Sequence, residues 1–194
     1  MKKMYVIAGC NGAGKTTTSF TLLPELLNCN NFVNADSIAY GLSPLNPKAV
    51  DFQAGRIMLE RIKYLIKASE TFAFETTLTT LSYRNIFIQA KRNGFEIVLL
   101  YIWLNNHKLA ASRVLERKKQ GGHYVSEEII TRRYYKGVAN FFGIFRNLSD
   151  NWHIFDNSFV IPIHIASGYG KSEIIKNKTI YNHILYTHDN SAKT

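Results

Sequence analysis

Residues Gly9 to Thr16 read Gly-Cys-Asn-Gly-Ala-Gly-Lys-Thr and match the phosphate-binding spacing GxxxxGK[ST]. Before them lies Met4 to Ala8 (MYVIA), a short apolar run of strand formers. After them, Thr16 to about Leu23 contains no glycine and reads as a helix, which Pro24 should end or follow with a fresh turn. Strand, glycine loop and helix in that order turn a pattern into a mechanism. Backbone N–H groups of Gly9, Asn11, Gly12, Ala13 and Gly14 would wrap phosphate oxygens, and the positive end of the helix would add to the attraction. Lys15 would reach the outer phosphates, the Thr16 hydroxyl would be a magnesium ligand, and Thr17 stands beside it.

The rest of the chain alternates. Strands are expected at Asn31 to Asn34, Thr71 to Phe74, Phe95 to Leu104, Trp152 to Phe155 and, at an edge because of Pro162, Phe159 to Ser167. Helical spacing recurs at Lys48 to Ser69, from Tyr83 to Asn93-Gly94, from Asn105-Asn106 to about Lys119, and from Ser126 through Phe145. Gly41 to Pro47 reads as a loop. Alternation of this kind predicts an α/β fold, a mostly parallel central sheet with helices on both faces. Ligands of such sheets sit at the carboxyl ends of the strands. The phosphate loop, Asp36, Glu75-Thr76 and Asp156 all follow expected strands, so they should share one rim.

Phosphoryl transfer asks the protein for a held donor, a metal, cations for the transition-state charge, and a base for the acceptor. Asp36 could take the proton of an acceptor hydroxyl, or instead cap the turn after its strand or order magnesium through water. Glu75 could bind substrate hydroxyls, help hold metal, or pair with a basic side chain. Arg113 and Arg117 share a helix face, Lys118 and Lys119 follow, then Gly121-Gly122-His123, and Arg132-Arg133 lie in the next helix. Two arginine-bearing helices across a glycine break read as a helical lid over about 107–148, although such a run by itself is more often a solvated face. His123 could position that lid or touch phosphate. No His or Cys cluster has zinc-ligand spacing.

A chain of 194 residues suits one well-buried domain, here expected over 1–170, with a tail at 171–194 that carries no functional reading. The net charge of +10 suits a polyanionic partner without choosing among nucleotides, nucleic acid and acidic headgroups. Both cysteines, Cys10 and Cys29, read as free thiols of a reducing compartment. No apolar run approaches membrane-spanning length and no signal-peptide pattern precedes the first strand, so a cytoplasmic location with no membrane partner is expected.

The motifs together resemble the zeta-toxin family of P-loop kinases, in particular its compact branch, often labelled ABC-type ATPases. The matching stretches are GCNGAGKTT at 9–17, NADSIA at 34–39, FAFETTL at 72–78, GFEIVLLYIWL at 94–104, RVLERKKQGGHYV at 113–125, RRYYKGVANF at 132–141 and WHIFDNS at 152–158. The resemblance implies a kinase moving the γ-phosphate of ATP, with Mg2+ as cofactor, onto a hydroxyl of a UDP-amino sugar such as UDP-N-acetylglucosamine. It implies Lys15 and Thr16 as nucleotide and magnesium ligands, Asp36 as base, Glu75 and Thr76 as contacts to the sugar-nucleotide, and Arg117 with Arg132 or Arg133 on the transferring phosphate. Toxins of the family carry a helical segment ahead of the first strand, which here starts almost at Met1, so pairing with an antitoxin is not expected. No LSGGQ-type signature is present, and Phe95 to Leu104 leads into Asn105 rather than an aspartate, which speaks against a transporter ATPase. The alternatives are a kinase of another small hydroxyl substrate and a nucleotide-dependent regulatory protein with a nucleic-acid-binding basic face. Nucleic acid is the weaker, since nothing in the chain reads as a helix-turn-helix, a zinc finger or a stacking-aromatic surface.

Overall fold

The longest apolar run becomes the strand that divides the molecule. In the computed structural model, which describes residues 1–25, 27–119 and 125–191, β4 (Glu96–Trp103) is buried at every position after Glu96. A strand covered on both faces has to lie inside a parallel sheet. It pairs with β1 (Lys3–Ala8) on one side and β5 (Asn151–Asp156) on the other, both parallel. β3 (Phe72–Thr76) lies beyond β1 and β2 (Phe32–Val33) beyond β3. The seven-stranded order is β2-β3-β1-β4-β5-β6-β7. β1 therefore leaves its neighbours in opposite directions along the chain, and the crevice at its carboxyl end is the switch point where such sheets bind ligands.

Alternation along β3 shows the two helical layers. Phe74 stacks on Tyr83 at the start of α4 (Tyr83–Arg92), while the next residue, Glu75, points to the other face and meets α1 (Lys15–Glu25). α1 extends through Pro24 to Glu25, past the point at which the proline is expected to end it. α3 (Asp51–Ala68) buries Ala54, Met58, Ile62, Leu65 and Ile66, one face of a 3.6-residue period, and ends on Ser69 in the left-handed region. A short 3₁₀ turn, Pro47–Val50, leads into it.

Residues 35–42 depart from the sequence reading. They form a helix, α2 (Ala35–Leu42), where only a strand end and a loop starting at Gly41 are expected. The Asn34 side chain accepts the Ser37 N–H at 3.0 Å and so caps it, and Asp36 in its first turn complements the helix dipole. α5 (His107–Lys119) begins after Asn106, whose side chain accepts the Leu109 N–H at 2.8 Å. α6 (Glu127–Asn140), capped by Ser126, continues through a π turn at Phe141–Phe145 into α7 (Arg146–Leu148). The wider turn lets Phe141, Phe142 and Phe145 all face the core, where Phe145 meets Phe87 of α4.

The C-terminal part also differs. β6 (Ile163–Tyr169) is antiparallel to β5 and is not the edge, because β7 (Ser172–Ile175) pairs outside it. Pro162 stands just ahead of the strand, where its missing N–H costs no ladder bond. α8 (Lys178–Ser191) folds back and buries Tyr181 and Ile184 in the same core as the sheet, with His183 against Trp103. Among the described residues, no helix is long and apolar enough to cross a membrane.

Candidate active site

A cleft of about 1030 Å³ opens at the carboxyl ends of β1 and β3, and most of the residues assigned from sequence line it. Its floor is the loop between β1 and α1. Gly12 has φ +79° and Gly14 has φ +89°, values that suit glycine, and neither has room for a side chain. A Cβ on Gly12 would strike the Ala110 carbonyl of α5, and one on Gly14 would strike Asn157 Nδ2. Asn157 Nδ2 donates to the Ala13 carbonyl at 2.8 Å, which ties the loop to the segment after β5. Gly9 N donates to Thr76 O at 3.2 Å, so the loop is anchored at β3 as well. Gly9 and Ala13 shape the loop from behind, whereas Asn11, Gly12, Gly14, Lys15, Thr16 and Thr17 face the cleft.

Lys15 Nζ donates to Cys10 O at 3.0 Å across the loop. Burial lowers the pKa of this ammonium, and the Glu75 carboxylate, with weaker help from Cys10 and Asp36, pulls it back up. Burial likewise pushes the Glu75 carboxyl up, opposed by Lys15 and by hydrogen bonds from Thr16 and Ser19. Thr16 Oγ1 donates to Glu75 Oε2 at 3.0 Å and Ser19 Oγ donates to Glu75 Oε1 at 3.2 Å. Both carboxylate oxygens are thus engaged by hydroxyls of α1. Thr76 Oγ1 accepts the Leu78 N–H at 3.0 Å and shapes the turn after β3, while the residue still lines the cleft.

Asp36 is exposed on the first turn of α2 and faces the same cleft. Arg113, Arg117 and Arg133 line it as well. Arg113 Nη1 donates to Asn157 O at 2.8 Å and Nη2 to Ser158 O at 3.3 Å, so its guanidinium grips the segment after β5. Arg133 Nη1 donates to Asn11 Oδ1 at 3.0 Å. Burial and the neighbouring Arg132 charge lower the Arg133 pKa against the pull of Asp36 and Asp51.

Two residues of the expected rim do not open onto the cleft. Of the two arginines left open by the sequence, Arg132 is exposed and lines no part of the cleft, whereas Arg133 lines it. Neighbouring helix residues are about 100° apart, so only one of the two can face inward. Asp156 does not open onto the cleft either. It is 1% exposed and accepts the Ser158 N–H at 2.9 Å, closing the turn that carries Asn157.

The segment expected as a lid is rooted where it is described. Ala110 and Val114 of α5 and Ile130, Tyr134 and Val138 of α6 are buried, and Asn140 Nδ2 donates to Leu78 O at 2.7 Å. Gly121, Gly122 and His123 lie outside the described residues. Ser19 and Asn157 escaped the sequence reading of the site. Ser19 had a legible signal, since it stands three residues after Thr16 and shares its helix face.

No family model matches the sequence. Over 141 residues the chain is 33% identical to an uncharacterized protein of Haemophilus influenzae (strain ATCC 51907 / DSM 11121 / KW20 / Rd), a match covering 69% of this chain and 98% of that one. The chain belongs to that protein's family. Its fold is that of the zeta-toxin-like P-loop kinases. The crystal structure of AvrRxo1-ORF1:AvrRxo1-ORF2 with sulphate ions superposes with a TM-score of 0.74 at 15% identity, covering 95% of this chain and 63% of that one. The same pair with ATP gives 0.72. The PezAT chromosomal toxin-antitoxin system of Streptococcus pneumoniae gives 0.65 at 13% identity, covering 100% of this chain and 86% of that one. The family member thus spans less than two thirds of the AvrRxo1 chain, and at these identities the likeness is one of fold. AvrRxo1-ORF1 is seen together with AvrRxo1-ORF2, and PezAT is a toxin-antitoxin system, which runs mildly against the sequence expectation of no antitoxin; the pairing itself is a property of those proteins.

Proposed function

We propose that this family member is an ATP-dependent phosphotransferase acting on a hydroxyl of a small molecule. The observation that carries the reading is the convergence, on one cleft, of a phosphate loop, a threonine hydroxyl held by a carboxylate, an exposed aspartate and three arginines. The loop and the Lys15 ammonium receive the β- and γ-phosphates of ATP. Glycine cradle and oxygen donors fit magnesium·ATP, with Thr16 as the hydroxyl ligand, and the ion would neutralise charge on the phosphates. Arg117 and Arg133 face the transferring group, where their fixed charges stabilise the transition state. Phe159, Val160 and Pro162, beyond Arg113, offer the apolar surface a nucleobase needs.

The acceptor side is walled by Asn34, Asp36, Thr76, Thr77, Thr79 and Thr80. Hydroxyls and amides at that density suit a polyhydroxylated ligand, which supports a sugar acceptor. We take a UDP-amino sugar such as UDP-N-acetylglucosamine as the acceptor to test first. Asp36 accepts the proton of the attacking hydroxyl as its oxygen bonds to the γ-phosphorus and the bond to the leaving ADP oxygen breaks.

The test is incubation with magnesium·ATP and a panel of nucleotide-sugars and free sugars, read by mass spectrometry for an added phosphate. Asp36→Asn should bind ATP as the unaltered protein does and transfer at least about a hundredfold more slowly. Transfer undiminished in Asp36→Asn would remove the proposed base, and ATP loss without a phosphorylated sugar would remove the acceptor.

A further inference from the structure

Ser19 plays no part in the chemistry above, yet it is fully buried. A serine inside a helix usually turns its hydroxyl back to the carbonyl four residues earlier or out to water. Ser19 instead donates across to Glu75 Oε1 of β3, while Thr16, one turn earlier on the same face, donates to Glu75 Oε2. The carboxylate is bridged symmetrically between two hydroxyls of one helix.

We propose that Ser19 is a positioning residue for the metal-binding hydroxyl of Thr16, acting through Glu75. The proposal rests on the phosphotransferase reading of the site. A hydroxyl has one proton and two lone pairs. When the Thr16 proton is committed to Glu75, both lone pairs of Oγ1 stay free for a cation beside the phosphates. That commitment requires the carboxylate to hold one orientation. Thr16 alone pins one oxygen and leaves the group free to rotate about its own axis. Ser19 pins the other oxygen, and the rotation is blocked. The same bridge keeps Glu75 turned toward α1 and limits its reach into the acceptor wall, so Glu75 serves the metal side of the cleft, one of the roles its sequence position left open, rather than the sugar-nucleotide contact that the resemblance implies.

The inference is tested by titrating Mn2+ into the ADP complex, read by electron paramagnetic resonance, with metal-free ADP affinity measured in parallel by calorimetry. Ser19→Ala should weaken Mn2+ binding about tenfold, the fold-change of a modest hydrogen bond to a charged group, and leave metal-free ADP affinity unchanged. In a Glu75→Ala background, where the relay has no middle, Ser19→Ala should have no further effect. Ser19→Cys, which keeps the size and a weak donor, should fall between the two. Equal Mn2+ affinity in Ser19→Ala, or the same loss with and without Glu75, overturns the proposal while the nucleotide site stands. An unaltered protein that holds no Mn2+·ADP removes the phosphotransferase reading and this inference together.

Discussion

Replacing Gly14 by alanine probes the phosphate loop at the point where it is most constrained. Gly14 sits at φ +89°, and the added methyl would meet the Asn157 side-chain nitrogen that donates to Ala13 O at 2.8 Å. A non-glycine residue held in that region costs about 1–2 kcal/mol. Displacing the Asn157 amide loses one hydrogen bond, about 1 kcal/mol more. The total of about 2–3 kcal/mol corresponds to roughly 30- to 150-fold weaker ATP binding if the loop relaxes out of shape, or to the same loss of unfolding free energy if it stays in place. Calorimetric ATP titration and urea unfolding, run on the same samples, capture both destinations. Asn157→Ala removes the obstruction, so in that background Gly14→Ala should cost only the torsional part, a coupling of about 1 kcal/mol. A Gly14→Ala protein that binds and unfolds like the unaltered one, or a cycle with no coupling, would refute the cradle geometry.

Arg133→Ala should lower kcat/KM by about a hundredfold or more in the transfer assay, because the proposed function sets its charge against the phosphoryl group; Arg132→Ala, on the exposed side, should stay within about twofold, as surface changes do. Burial lowers the pKa of His153, helped by the charges of His164 and Lys176, and burial with Lys176 lowers that of His164, whose Nε2 lies 3.4 Å from His153 Nδ1. With folded pKa values below the unfolded ones, the unfolded chain binds more protons as pH falls through about 6.5, so this stabilising contribution is complete above that pH and lost below it. Melting temperatures from pH 8 to 5 should fall more steeply for the unaltered protein than for a His153→Gln/His164→Gln double variant, and parallel curves would exclude the pair as the source.

The elements differ in how much of them the sequence exposes. β1, the phosphate loop and α1 are legible because glycine spacing and apolar run lie within a few residues of each other. β4 is legible because a strand buried on both faces is apolar at nearly every position. α2 is hidden, since eight residues containing a glycine show too little periodicity, and its stability comes from the Asn34 cap and from packing on α3. β6 reads as an edge only because the sequence pattern takes in Pro162, one residue ahead of the strand, and the missing neighbour, β7, is an exposed strand with no apolar alternation.

What the amino-acid sequence determined by itself is the chemistry on offer: a loop able to wrap phosphates, a lysine and threonine at its end, an aspartate, a glutamate and a set of arginines near strand ends. Those properties reside in residue types and short spacings, where the covalent chain keeps partners within reach. Only the tertiary structure decided which of them meet. It turned Arg133 into the cleft and Arg132 out, bent Asp156 back onto Ser158, and set Glu75 between Thr16 and Ser19 across 56 to 59 residues of chain. The reason is rotational. A step of one residue swings a helical side chain by about 100° and a strand side chain to the opposite face, so the direction of a group depends on how its whole element is seated against the core.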